Sequence, residues 1–64
     1  MITVRARKDD INDEIVYYID LVKKVNGVDD IFHIGRKTEM GYYELLSMLD
    51  FLNVEYEVDE DWMD

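Results

Sequence analysis

The first residues of the chain alternate between apolar and polar side chains. Apolar residues occupy positions 2, 4 and 6, and polar residues occupy positions 3, 5 and 7. A period of two that includes β-branched residues is typical of a strand with one buried face. The pattern therefore predicts a half-buried strand over residues 2–7.

A different period governs the next segment. Between residues 11 and 25 the apolar side chains recur every three or four residues, which places one stripe along a helix: Ile11, Ile15, Tyr18, Ile19, Val22 and Val25. Asp9 and Asp10 precede the segment and are suited to cap a helix, and Asn26-Gly27 supplies a left-handed stop. The segment therefore predicts a first helix over residues 11–25, with Tyr17 on its polar side.

The second half of the chain predicts a further helix between two strands. Thr38 is a suitable N-cap for a second helix that runs to about Leu52 and ends at Asn53. Residues 54–58 alternate again and predict a strand. The segment 28–34 contains a short apolar run at residues 31–34, which fits either a buried strand or a packed loop.

Charges on the first and last strands indicate that these strands are neighbours. Arg5 and Arg7 lie on the outer face of the first, and Glu55 and Glu57 on that of the last. Opposite charges on adjacent strands contribute roughly 0.2–1 kcal/mol per pair. We therefore expect an α+β fold in the order β-α-β-α-β: a three-stranded sheet with two helices packed on one face. The globular domain spans residues 1–58, and residues 59–64 form an acidic tail.

The net charge of −9 arises in the second half of the chain. Residues 1–37 contain seven bases and seven acids, whereas residues 38–64 contain nine acids and no base. Such a charge repels a polyanion, so we expect no direct binding of nucleic acid. It favours a protein partner with a basic surface, including a nucleic-acid-binding surface that rows of carboxylates could occupy in place of phosphates.

The sequence contains few residues that could support catalysis or bind a cofactor. The chain has one His, one Ser, no Cys and no glycine-rich phosphate loop. We therefore expect neither an enzyme nor a cofactor. A metal-dependent activity at Asp29, Asp30 and His33 is a third alternative, because two carboxylates and an imidazole are ligands that metals accept.

The N-terminal residues predict no targeting segment. The sequence MITVRARKDD lacks an apolar leader, and no run approaches the roughly 20 apolar residues of a membrane span. Together with the absence of Cys, which fits a reducing compartment, this predicts a cytoplasmic protein that does not enter a membrane.

The predicted second helix is apolar on two sides. One stripe is suited to the core: Tyr42, Leu45, Leu49 and Leu52. The other contains Met40, Tyr43 and Phe51 and is flanked by acids. Exposed Met and aromatic side chains with an acidic rim are typical of protein-binding surfaces, although another part of the chain could cover them.

These residues define the predicted site. The partner-binding residues are expected to be Met40, Tyr43, Glu44, Phe51, Glu55, Glu57, Asp59 and Trp62. The chain is thus predicted to be a small non-enzymatic protein that regulates or inhibits a partner, as small acidic phage proteins do by analogy of size and charge. The alternative is an assembly protein that forms a homodimer through the second stripe of this helix.

Overall fold

A computed structural model describes residues 1–60. Within these residues four strands form one sheet and one helix packs against it. The elements are β1 (Ile2–Ile11), β2 (Glu14–Val25), β3 (Val28–Thr38), α1 (Glu39–Phe51) and β4 (Tyr56–Asp59). The strand order is β3-β2-β1-β4. The pairs β1–β2 and β2–β3 are antiparallel, and β1–β4 is parallel.

The predicted three-stranded sheet with two helices is therefore wrong, because residues 11–25 do not form a helix. Two tight turns make this segment the central strand of a meander. Asn12 and Asp13 have φ of 52° and 62°, and Asn26 and Gly27 have φ of 53° and 80°. Two consecutive residues with positive φ form the two-residue turn whose twist matches antiparallel strands. Asn26-Gly27 is thus a hairpin turn and not a helix stop.

The burial of β2 explains why its sequence resembles that of a helix. Tyr17 and Ile19 are buried on the face that carries α1, and Val16 and Val22 are buried on the opposite face. A strand with apolar residues on both faces loses the simple period of two, and its apolar positions then also fit a spacing of three or four. The many β-branched residues of this segment favour a strand.

The segment for which the sequence left a strand and a loop open is a strand, and it is longer than residues 28–34. β3 continues to Thr38 and contains a bulge where its register against β2 shifts, since Ile19 lies opposite Gly35 and Asp20 lies opposite His33. Gly35 has a φ of 91°, which a residue with a side chain rarely adopts. The extra residue, Ile34, reverses which face the following side chains occupy.

The helix of the second half is confirmed, as are both of its ends. The Thr38 hydroxyl accepts a hydrogen bond from the Gly41 amide at 3.1 Å. At the other end Asn53 has a φ of 56°, its amide donates to Asp50, and the amide of Val54 donates to Leu49. This is the double hydrogen bond of a Schellman motif, which satisfies the last carbonyl groups of a helix.

The predicted pairing of the first and last strands is also confirmed. β4 runs parallel to β1, with Thr3 opposite Glu57 and Arg5 opposite Asp59. The Thr3 hydroxyl donates to Glu57 Oε1 at 3.1 Å. Asp59, which we assigned to the tail, is the last residue of β4, and the rest of the predicted tail beyond Glu60 lies outside the described residues.

The core lies between α1 and one face of the sheet. Its buried members come from β1, β2 and α1: Val4, Ala6, Tyr17, Ile19, Tyr42 and Leu49. Tyr17 is therefore a core residue, 5% exposed, and does not lie on a polar surface as the helical interpretation required. Tyr42 is 1% exposed and fixes the inner side of α1 on the sheet.

Candidate interaction surface

The outer side of α1 carries large apolar side chains that the fold leaves in solvent. Met40 is 72% exposed, Tyr43 54% and Phe51 84%. Ser47 and Met48 lie between them and line the same shallow groove. We call the set Met40, Tyr43, Ser47, Met48 and Phe51 the helix surface. Residues three or four positions apart are neighbours on a helix, so these side chains follow one another along one side of α1. Exposed apolar side chains grouped in this way are typical of a binding surface.

The helix exposes this side because its other side is sufficient for the core. Tyr42 and Leu49 are buried, and Leu45 and Leu46 pack against them from partly buried positions. Leu52, which we assigned to the buried stripe, is 57% exposed because it follows the last helical residue and caps the helix. Met48, at 50% exposure, is the surface residue that the sequence analysis missed; it lies beside the stripe formed by Met40, Tyr43 and Phe51.

Tyr43 connects the helix surface to the core. Its ring lies 5.5 Å from that of Tyr42, tilted by 44°. Burial raises the pKa of the neighbouring Tyr17, and the nearby Tyr43 hydroxyl raises it further. The Tyr43 ring thus packs beside Tyr42 at its inner edge and presents the rest of its surface to solvent. An aromatic ring held in this way loses little conformational entropy when it binds a partner.

Acids form the rim of the helix surface. Glu39 and Glu44 line the groove, and the whole of α1 contains no Lys or Arg. Glu39 lies in the first turn, where a carboxylate interacts favourably with the positive end of the helix. The apolar groove is therefore bordered by carboxylates, whose charge attracts a basic surface before contact is made.

The remaining acids of the predicted site do not join this surface. Glu57 and Asp59 lie opposite Thr3 and Arg5, on the sheet face that α1 does not cover. Glu55 is exposed just before β4, and its carbonyl accepts a hydrogen bond from Ile2. The structure thus separates the helix residues from the strand acids. Trp62 lies outside the described residues.

The three metal-ligand candidates are also separated. Asp29 lies opposite Lys24 and Asp30 opposite Lys23, so their side chains point to opposite faces of the sheet. The imidazole Nδ1 of His33 lies 2.8 Å from Asp20 Oδ1, across the strand pair. Among residues 1–60 no three His, Cys, Asp or Glu side chains form a group that could hold a metal ion.

Comparison with known proteins identified no related protein. The chain matches no protein-family model, no curated protein and no solved structure. Within the described part of the chain, no helix has both the length and the apolar composition needed to cross a membrane.

Proposed function

We propose that this chain is a small non-enzymatic binding protein whose helix surface docks on a basic, partly apolar surface of a partner protein and thereby regulates or inhibits it. The observation that carries the proposal is the exposure of Met40, Tyr43 and Phe51 together on one side of α1. Met and aromatic residues are enriched where proteins bind one another, and a few such anchors supply most of the binding free energy.

The acidic rim favours a foreign partner over a second copy of the same surface. A twofold dimer built on α1 would bring the acidic rims of the two copies together, including Glu39 and Glu44, and no base on α1 would offset them. Like charges brought together at an interface cost free energy. This argues against the alternative of self-assembly through the helix.

A partner that handles nucleic acid fits the charge best. Residues 38–64 carry nine acids and no base, and a phosphate-binding surface is rich in the Arg and Lys that such a segment attracts. Occupying that surface would inhibit the partner by competition. We place this activity in the cytoplasm, in keeping with a chain without Cys.

Affinity capture with matched baits tests the proposal. The wild-type chain and a Met40→Ala/Phe51→Ala variant are immobilised and exposed to lysate of the source cells. We expect a protein that the wild type retains and the variant does not, that high salt releases, and that excess DNA or RNA displaces. Identical proteins retained by both baits would contradict the role of the helix surface. If excess DNA or RNA does not displace the retained protein, only the proposal that the partner binds nucleic acid would be contradicted.

A further inference from the structure

Strand β3 forms an exposed edge of the sheet. Within residues 1–60 it has a strand neighbour on one side only, β2, and it is 11 residues long. Every residue from Val28 to His33 is exposed, including Val28 at 68% and Phe32 at 67%. A long edge strand with exposed apolar side chains is a template for pairing with another strand.

The charges of β3 are arranged with opposite signs at its two ends. Asp29 and Asp30 stand near its start, and Arg36 and Lys37 near its end. An antiparallel copy of the same strand would bring each acidic end beside a basic end. A parallel copy would place acids against acids and bases against bases, which is unfavourable.

The bulge also matches these charges face by face. Asp29 lies opposite Lys24 and Arg36 opposite Tyr18, so both point to the open face of the sheet. Asp30 and Lys37 both point to the face that carries α1. In an antiparallel pair, one acid therefore lies directly opposite a base on its own face of the sheet, and the other acid lies diagonally across from the second base.

We propose that two copies of this chain associate by antiparallel pairing of their β3 strands. The interface is isologous, because a twofold axis normal to the sheet relates the two edges. Ile31 and Phe32 lie near its middle and supply apolar contact, and the end charges fix the antiparallel direction. The axis keeps both α1 helices on the same side of a continuous sheet, so the dimer presents two helix surfaces in one direction. The other edge, β4, is only four residues long and carries acids without bases, which makes it a poor alternative.

Sedimentation equilibrium of the wild-type chain tests the association. From about 1 to 300 µM the mean mass should rise from that of a monomer toward that of a dimer. A mass of one chain over the whole range would overturn the proposal. The Phe51→Ala variant, altered only on the helix surface, should sediment as the wild type does; loss of the dimer in this variant would assign the interface to α1 and overturn the proposal as well.

Charge reversal tests the geometry. In Asp29→Lys/Asp30→Lys both ends of β3 are basic, and in Arg36→Glu/Lys37→Glu both are acidic. Each variant alone should dissociate roughly tenfold or more readily than the wild type, because like charges then face one another. An equimolar mixture should form a heterodimer, since every reversed end meets an opposite one. Dimers of unchanged affinity in the separate variants, or no heterodimer on mixing two folded variants, would contradict the pairing.

Amide hydrogen exchange of the wild type decides the matter if a reversed variant does not fold. The amides of residues 28–38 should exchange more slowly at high protein concentration than at low, while those of β4 do not change. Concentration-independent exchange in β3 would overturn the proposal.

Discussion

The ring of Tyr17 in β2 stacks on the ring of Tyr42 in α1, with centroids 4.2 Å apart and planes inclined by 18°. This contact joins the central strand to the helix in a domain with few other large buried side chains. The hydroxyl group of Tyr42 also donates a hydrogen bond to Glu60 Oε1 at 3.0 Å. The tyrosine pair thus fixes α1 on the sheet with its Met and Phe side chains outward.

Alkaline unfolding should report on Tyr42. Burial, then the hydrogen bond to Glu60 and its charge, raise the pKa of Tyr42 well above the ordinary 10.0. The folded state therefore binds this proton more tightly than the unfolded state. Its stabilising contribution is complete below about pH 10 and is lost as the pH rises through the folded-state pKa. The free energy of unfolding, measured with urea, should fall above pH 10, and less steeply in Tyr42→Phe.

At neutral pH the same substitution should cost about 0.5–1.5 kcal/mol, the usual contribution of one hydrogen bond. Glu60→Gln is the control, because the amide oxygen still accepts from Tyr42 while the charge is gone. An equal alkaline slope in the wild type and Tyr42→Phe would show that this hydroxyl does not titrate with unfolding.

The two sides of α1 should respond differently to truncation. Leu49 is 5% exposed, so Leu49→Ala should lower the free energy of unfolding by about 2–5 kcal/mol, the range for buried leucines. Phe51 is 84% exposed, and Phe51→Ala should change it by no more than about 0.5 kcal/mol. Chemical denaturation of both variants checks the pair. Comparable losses would mean that the helix surface is covered in the folded chain.

Two glycine substitutions should change the free energy of unfolding in opposite directions. An added Cβ at Gly27 meets nothing within 4 Å, but its φ of 80° disfavours a side chain, so Gly27→Ala should destabilise by roughly 1 kcal/mol. Gly41 lies in the first turn of α1, where an added Cβ comes into ordinary contact with Thr38 Oγ1 at 3.4 Å. There the greater helix propensity of alanine should stabilise by about 0.5–1 kcal/mol. The melting temperatures of both variants check these expectations. A stabilising effect of Gly27→Ala would contradict the hairpin turn.

Charge reversal should also identify the register of β1 on β4. Arg5 lies opposite Asp59, so Arg5→Glu and Asp59→Arg should be less damaging together than the sum of the two single changes, by about 0.2–1 kcal/mol. Glu57 lies opposite Thr3, and a cycle between Arg5 and Glu57 should give a smaller coupling. A larger coupling for Arg5 with Glu57 would indicate a shifted register.

Local sequence patterns were sufficient to predict α1, its exposed side and the pairing of β1 with β4. Thr38 and Asn53 identify the two ends of the helix because the cap and the left-handed stop each depend on one residue type. Met40, Tyr43 and Phe51 were identifiable as a second stripe because the helical period is regular over 13 residues. The alternation and the charges of β1 and β4 were likewise sufficient to predict that these strands pair.

The centre of the sheet could not be predicted in the same way. The apolar residues of β2 serve two buried faces, so their spacing fits a helix as well as a strand. The decisive signal was Asn26-Gly27, which ends helices and also forms hairpin turns, and only the strand that follows distinguishes the two. Once residues 11–25 are misassigned, Tyr17 moves from the core to a surface. The separation of Glu57 and Asp59 from the helix surface depends on sheet topology, which no local pattern encodes.

The affinity of a captured partner for two folded variants tests the central claim most directly. Met40→Ala/Phe51→Ala alters the helix surface, and Glu57→Gln alters an acid on the opposite face of the sheet. If the helix surface is the binding site, titration calorimetry should show the first variant at least roughly tenfold weaker than the wild type and the second within about twofold of it. Unchanged affinity in the first variant, with loss in the second, would contradict the account and place binding on the strand acids.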